Sequence, residues 1–157
     1  MTINKWRYCW AGLLLFCACE RIAVCHKIMI LDNYHWSMDR VLNFSFQVKD
    51  IAKTYDVILL VTSTQDYPYQ NLYITHHLED AVGHLLNKAL KNYPLFDSKT
   101  GSPLGSGLLQ SHKHEFAVVN RHQFAHTGSY TVKLEHSMRT DTLPGLQAVG
   151  IKVVPSK

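Results

Sequence analysis

The chain has 157 residues, of which 46% are hydrophobic and 18% are charged. This is the length and composition of one globular domain, and it excludes a disordered, collagen-like or coiled-coil chain. The 16 Lys and Arg residues exceed the 12 Asp and Glu residues by four, but Lys5 and Arg7 lie in a segment that we expect to be removed, which leaves an excess of two. Because no basic run accompanies this small excess, the sequence predicts no nucleic-acid partner.

The first residues have the three regions of a secretory signal. Residues 1–7 carry two cations and no acid, residues 8–16 form an apolar run of nine, and Ala18 stands directly before Cys19. The apolar stretch is shorter than the roughly 20 residues that a membrane-spanning helix needs. The residues before Cys19 resemble a bacterial lipobox, which implies cleavage before Cys19 and acylation of its thiol. The alternative is a cleaved soluble secretory protein or a buried apolar N-terminus.

These observations predict three parts of the chain: a signal peptide at 1–18, a lipidated tether at 19–27 and a single domain at 28–157. Two or three acyl chains would hold the domain firmly on a membrane surface without spanning it. All four cysteines lie within the first 25 residues, so the domain has no disulfide framework. With Cys19 acylated, Cys25 is left unpaired, and we expect it to be a small packed hydrophobe.

Alternation of apolar and polar residues predicts β-strands along most of the domain. In residues 42–48 the Leu, Phe, Phe and Val side chains point to one side, and the dense apolar run at 55–62 is typical of a central strand. Residues 79–91 have near-helical spacing, but Gly83 and the position between two strand patterns favour a strand. Further strands are predicted at 27–31, 72–78, 116–119, 130–136 and 149–153.

Seven or eight short strands separated by turn signals predict an all-β fold, an antiparallel β-sandwich that is immunoglobulin-like or jelly-roll-like. The sequence Gly128-Ser129-Tyr130 at the start of a strand is typical of a tyrosine corner, in which the phenol bonds nearby backbone.

An aromatic loop joins two of the predicted strands, and we use this name for residues 65–70. Pro68 fixes the backbone and donates no hydrogen bond, so it marks a connection between strands. Tyr67, Tyr69 and Tyr73 in or beside the loop either stack on a sugar or anchor a protein partner, or else they cap the sandwich.

The sequence Asp-Tyr-Pro-Tyr-Gln-Asn-Leu at 66–72, preceded by Tyr34-His35-Trp36, resembles the GldH gliding-motility lipoproteins of the Bacteroidetes. The chain departs from that family at Leu104, where Trp is common, and at 62–65, where an Arg is frequent. Further matches follow in the family's order at 97–101, 104–107, 128–132, 135–139, 143–146 and 149–150.

The resemblance implies a membrane-anchored, non-enzymatic accessory or assembly component of the gliding motility and type IX secretion machinery. Its partners would be other proteins of that machinery in the cell envelope, and no cofactor is implied. Residues 20–23 lack the acidic cluster that is associated with surface export in these bacteria. We therefore predict a lipid-anchored protein on the outer membrane, facing the periplasm.

Six residues are candidates for partner binding or for a structural clamp, because strand periodicity does not require them. Arg139 offers five donors in a planar fork, which suits a partner's carboxylate or a bond inside the domain to Asp66 or Asp141. The alternative function is an envelope lipoprotein that binds glycan through Tyr67 and Tyr69. The six candidates are Tyr67, Pro68, Tyr69, Asn71, Met138 and Arg139.

The ten histidines invite a metal hypothesis. His112 and His114 would share one face of a strand, and His122 and His126 would share one face of a helical turn. However, the sequence contains neither H-E-x-x-H nor paired Cys motifs, so we predict packed or solvated histidines and no metal. The nucleophile motif G-x-S-x-G is also absent, and residues 101–107 lack the Lys and helix of a phosphate loop. The sequence therefore predicts no enzyme and no cofactor.

Overall fold

A computed structural model of the chain describes residues 23–107 and 110–157. The predicted signal peptide and Cys19 lie outside these residues. Within them the chain forms a short 3₁₀ helix at Asp32–Tyr34 and ten strands. The strands are β1 (Cys25–Ile30), β2 (His35–Ser37), β3 (Leu42–Val48), β4 (Thr54–Thr64), β5 (Asn71–Glu79), β6 (Leu85–Pro94), β7 (Ser111–Gln123), β8 (Gly128–His136), β9 (Thr142–Pro144) and β10 (Leu146–Pro155).

Eight long strands form two antiparallel four-stranded sheets. Sheet I has the order β1-β10-β4-β7, and sheet II has the order β3-β8-β5-β6. The short strands β2 and β9 pair only with each other. The pairs are nested in chain order: β1 pairs with β10, β3 with β8, β4 with β7, and β5 with β6. This is a long hairpin wound across two sheets, so the all-β sandwich predicted from the sequence is a jelly roll and not an immunoglobulin fold.

The register of β3 shows how the sequence specifies the core. Its residues alternate between buried and exposed along the whole strand, with Phe44 and Phe46 inside and Asn43 and Gln47 outside. Phe46 lies opposite Tyr130 of β8, and its ring also meets that of Phe124. Because strand side chains alternate with a period of two, one apolar face of β3 fixes the register of the pair.

The strand predictions are confirmed, with two differences in extent and two further strands. The near-helical spacing at 79–91 does not make a helix: β6 covers Leu85–Pro94, and residues 80–84 connect it to β5. The strand predicted at 116–119 is part of β7, which has 13 residues. Strands β2 and β9 are not predicted, because three residues are too few to show a period.

The predicted tyrosine corner is present. The Tyr130 hydroxyl donates to the backbone oxygen of His126 at 2.7 Å, which closes the connection between β7 and β8.

Lysines join the two sheets at their open sides. Lys27 Nζ of β1 donates to the Ser45 oxygen of β3 at 2.6 Å, and Lys91 Nζ of β6 donates to the Val118 oxygen of β7 at 2.7 Å.

The sandwich has two distinct ends. At the entry end the described chain begins, β10 finishes, and the connections 49–53, 80–84 and 124–127 turn between strands. At the distal end lie the connections 31–41, 65–70, 95–107 and 137–145. Strand β4 runs between the ends over 11 residues, which is roughly 36 Å at about 3.3 Å per residue.

Candidate functional site at the distal end

All six residues singled out from the sequence lie at the distal end, although they come from two separate stretches of the chain. Tyr67, Pro68 and Tyr69 belong to the aromatic loop, and Asn71 is the first residue of β5. Met138 and Arg139 follow the end of β8, which pairs with β5. The antiparallel pairing of β5 and β8 therefore brings the two stretches to one surface.

Tyr67 holds the aromatic loop in shape. Its side chain is buried, and its hydroxyl donates to the backbone oxygen of Asn71 at 2.9 Å. Its ring stacks on Phe96 at 6.2 Å and meets Tyr69 edge-on at 5.8 Å. Burial raises the pKa of the Tyr67 hydroxyl, and Tyr69 adds to this effect. Since both its ring and its hydroxyl are engaged, Tyr67 has a structural role in this loop.

The backbone of the loop lies against the turn that precedes β10. Thr64 donates its backbone N–H to the Gly145 oxygen at 2.8 Å. Gly145 has a φ of +80°, and a Cβ built there would lie 2.5 Å from the Tyr67 Cα. Glycine is required at this position both for the left-handed backbone and for the close approach.

The remaining loop residues divide between structure and surface. The Asn71 side chain donates to the Asn92 Oδ1 at 2.7 Å, which ties β5 to β6 at the distal end. Pro68 and Tyr69 are exposed, and 39% of Tyr69 remains accessible to solvent. Tyr69 is therefore a partly accessible aromatic side chain on a loop that Tyr67 holds in place.

Met138 continues the β5–β8 ladder beyond its last residue pair. Its buried sulfur accepts the backbone N–H of Tyr73 at 3.3 Å, while the N–H of Ser137 donates to the Tyr73 oxygen at 2.8 Å. Met138 thus satisfies a backbone donor that would otherwise lose its partner where the ladder ends.

Arg139 is exposed, and it makes no hydrogen bond or ion pair within residues 23–107 and 110–157. Asp66 and Asp141, the partners expected from the sequence inside the domain, form no hydrogen bond or ion pair with Arg139. Its neighbour in the chain, Met138, contacts Tyr73, whose ring is 39% exposed on the outer face of sheet II. The Arg139 guanidinium is therefore left without a partner among the residues that the structure describes.

Tyr34 is a further surface aromatic that the sequence analysis mentioned only as part of a family-like triplet. It is 49% exposed at the distal end and has a φ of +59°. Left-handed backbone is unfavourable for a bulky residue and tends to occur at functional positions. Its neighbour Trp36 is fully buried and donates its indole N–H to the Arg40 oxygen at 2.8 Å, so Trp36 anchors this connection. The positive φ of Tyr34 leaves no signal in the sequence.

A groove of about 430 Å³ opens beside the aromatic loop. Tyr67, Tyr69 and Phe96 supply aromatic surface to it, and Gln65 and Gln70 supply amide groups. This combination of ring faces and amides is the one required by the alternative hypothesis of glycan binding.

His112 and His114 lie on the buried face of β7, as the sequence predicts, and both rings contact Phe96. His114 Nε2 lies 3.1 Å from the hydroxyl of Ser63, which is fully buried. Burial, together with the charge of His112, lowers the pKa of His114 to about 4. A histidine with this pKa is a weak general base near neutral pH, so the serine–histidine contact is suited to packing and not to nucleophilic catalysis.

The expectation that His122 and His126 share a helical turn is wrong. His122 belongs to β7, which continues to Gln123, and His126 lies in the connection that follows. The ring of His122 packs on Phe124 at 4.6 Å, and burial lowers its pKa. Across the part of the chain that the structure describes, no three His, Cys, Asp or Glu side chains are grouped to hold a metal ion.

Comparison with known proteins places this architecture in a family. The family model for the GldH lipoprotein matches residues 23–153, which is almost the whole described domain. The gliding motility lipoprotein GldH homolog of Christiangramia forsetii is 24% identical over 155 residues, covering 92% of this chain and 91% of the relative. The gliding motility lipoprotein GldH of Flavobacterium johnsoniae is 24% identical over 145 residues and 88% of each chain.

Among solved structures, the VP2 subviral particle of infectious bursal disease virus matches 85% of this chain with a TM-score of 0.41 and 13% identity. This chain spans about a third of that VP2 chain, since the match covers 33% of it. Among the residues that the structure describes, no helix has the length and hydrophobicity to cross a bilayer. The match of the family model over residues 23–153 shows that the chain belongs to the GldH lipoprotein family.

Proposed function

We propose that this chain is a lipid-anchored, non-enzymatic component of the gliding motility and type IX secretion machinery, which presents its distal end to a partner protein. The involvement in gliding motility is proposed because two relatives carry the name gliding motility lipoprotein. In this proposal residues 1–18 are the signal peptide, Cys19 carries the lipid, and the domain faces the periplasm from the outer membrane.

The proposal rests on the difference between the two ends of the sandwich. The described chain begins at one end, and the accessible Tyr69, Tyr73 and Arg139 lie at or near the other. Strand β4, which runs between the two ends, is roughly 36 Å long. A domain attached at its entry end therefore carries these three side chains away from the membrane surface. Exposed tyrosine and arginine are the residue types most enriched among the energetically dominant positions of protein interfaces.

The anchor is tested by replacing Cys19 with Ser, which removes the thiol that accepts the acyl chain. The C19S variant should fail to label with radioactive palmitate and should move to the soluble fraction. Normal labelling of the variant would show that the anchor has been assigned to the wrong residue. The periplasmic placement is tested separately, because protease added to intact cells should leave the domain intact.

The partner surface is tested by co-purification from native membranes. Arg139→Ala and Tyr69→Ala should each reduce the recovery of envelope proteins and impair gliding, without lowering the melting temperature. Lys88→Ala, which removes an exposed side chain from the middle of β6, is the control and should change nothing. Retained assembly with a lowered melting temperature would instead make these residues structural clamps.

The non-enzymatic assignment is supported by what the candidate residues do. Tyr67, Asn71 and Met138 use their polar atoms for bonds inside the domain. His112 lines the aromatic loop groove, and its ring packs against Phe96 on the buried face of β7. These contacts stabilise a surface, and none of them places a nucleophile beside an accessible base.

Glycan binding is the second candidate, and the 430 Å³ groove is the observation that favours it. Tyr69 is the more accessible of the two loop tyrosines, because Tyr67 is buried and stacked on Phe96. A glycan panel separates the two functions: saturable binding that Tyr69→Ala abolishes and Arg139→Ala spares would support a glycan site. A protein interface requires both residues.

A further inference from the structure

A groove of about 1050 Å³ lies at the entry end, between the open edges of β1 and β3. The two strands belong to different sheets, and neither has a neighbour on this side within the part of the chain that the structure describes. The groove is therefore a gap between the two layers of the sandwich, and it is well over twice the volume of the groove beside the aromatic loop.

The floor of this entry groove is apolar. Cys25, Phe46 and Tyr55 line it with side chains that belong to the core, and Val24 is 41% exposed at its margin. The Tyr55 hydroxyl is engaged, since it donates to the backbone oxygen of Asp50 at 2.8 Å. These three side chains are buried, so carbon and aromatic groups close the bottom of the groove and Val24 supplies accessible apolar surface at its margin.

The rim of the entry groove is basic. Lys27, Lys49 and Lys53 line it together with a single carboxylate, Asp50. Asp50 lies 3.1 Å from Lys53 and so offsets one of the three cations, and the Lys27 ammonium donates to the Ser45 backbone oxygen on the opposite edge of the groove. Lys49 is exposed and has no ion pair in the described part of the chain. An apolar floor below a rim of excess positive charge is suited to a ligand with one anionic and one hydrocarbon part.

The position of the groove in the chain limits what it meets. Val24 lies on the groove and is five residues beyond Cys19, a distance of at most roughly 18 Å when fully extended. A lipid on Cys19 therefore keeps the groove within reach of the bilayer that holds the anchor. Two other entry-end connections carry exposed aliphatic tips, Ile51 at 42% and Val82 at 77%.

We propose that the entry groove binds an anionic phospholipid of that bilayer. Lys49 and Lys53 pair with the phosphate, while Lys27 keeps its bond to the Ser45 oxygen. The first part of the acyl chains lies above the apolar floor and contacts the exposed Val24 at its margin. This inference rests on the proposed anchor at Cys19, and it adds a second attachment that fixes the orientation of the domain. The distal end then points along the membrane normal instead of sweeping freely on its tether.

The test uses the purified mature chain carrying C19S, so that binding by the groove is measured without the acyl anchor. Sedimentation with vesicles of phosphatidylcholine and 30% phosphatidylglycerol should recover the protein, and pure phosphatidylcholine vesicles should not. Lys49→Gln with Lys53→Gln should weaken binding about 25-fold, at about fivefold for each lysine near an anionic surface. The matched control, Lys88→Gln with Lys99→Gln, removes the same charge from exposed positions away from the groove and should bind like the parent.

The lipid assignment is overturned if the control pair weakens binding as much as the groove pair, since general positive charge would then be sufficient. Competition by millimolar glycerol phosphate would show that a free phosphate ester is the ligand. Displacement by a short polyglutamate peptide, with no recovery on vesicles, would show that the groove takes an acidic peptide. The C19S protein has no acyl anchor, so its failure to bind vesicles would overturn only the lipid site in the groove. The anchor at Cys19 is tested separately by the palmitate experiment.

Discussion

Truncation of Phe46 tests the register of the sandwich most directly. The Phe46 side chain is only 4% exposed, and its ring lies 5.9 Å from that of Phe124 and 6.1 Å from that of Tyr130. A buried Phe→Ala change removes the transfer free energy of the ring and leaves a cavity, which together cost about 3–5 kcal/mol. Domains of this size have unfolding free energies of about 5–15 kcal/mol, so Phe46→Ala removes a large part of the total.

The matched control is Gln47→Ala, one residue along the same strand. Gln47 is exposed and should cost less than about 0.5 kcal/mol, the usual range for surface substitutions. Urea unfolding can be followed by the fluorescence of Trp36, because the other two tryptophans, Trp6 and Trp10, lie in the predicted signal peptide. Trp36 is fully buried and will report the loss of the core. Equal losses of unfolding free energy for the two variants would refute the register, since a slip of one residue exchanges the faces.

Three further predictions concern stability. His114 has a folded-state pKa of about 4 against 6.5 in a model peptide, so the unfolded chain takes up a proton first as the pH falls. Urea unfolding should therefore show that the free energy of unfolding falls by about 3 kcal/mol between pH 6.5 and pH 4. His114→Gln should reduce that loss. Gly145→Ala should cost clearly more in melting temperature than Gly83→Ala, because both glycines have positive φ but only Gly145 is pressed against other backbone. Met138→Leu keeps the volume but removes the sulfur acceptor, so the Tyr73 amide should exchange its hydrogen faster; unchanged exchange would refute that bond.

The strand content of this protein is a local property, and the sequence shows it. The alternation in residues 42–48 predicts both the strand and its buried face, because the period of two is written into seven consecutive residues. Gly83 and the neighbouring strand patterns favour a strand over a helix in residues 79–91, and the structure forms β6 at Leu85–Pro94 with Gly83 in the connection before it. The short strands β2 and β9 escape prediction, because each has three residues and depends on pairing with a distant segment.

The arrangement of the strands was decided only in three dimensions. A jelly roll and an immunoglobulin sandwich use strands of similar pattern, and they differ in which strands pair across the chain, as β1 does with β10. The same long-range pairing carries the aromatic loop and Arg139 to one end and the entry groove to the other. It also leaves Arg139 without Asp66 or Asp141 as a partner, which the spacing of charges along the chain does not reveal. Hydrophobic alternation records which face of a strand is buried, but it contains no information about which distant strand completes the layer, because many partners bury that face equally well.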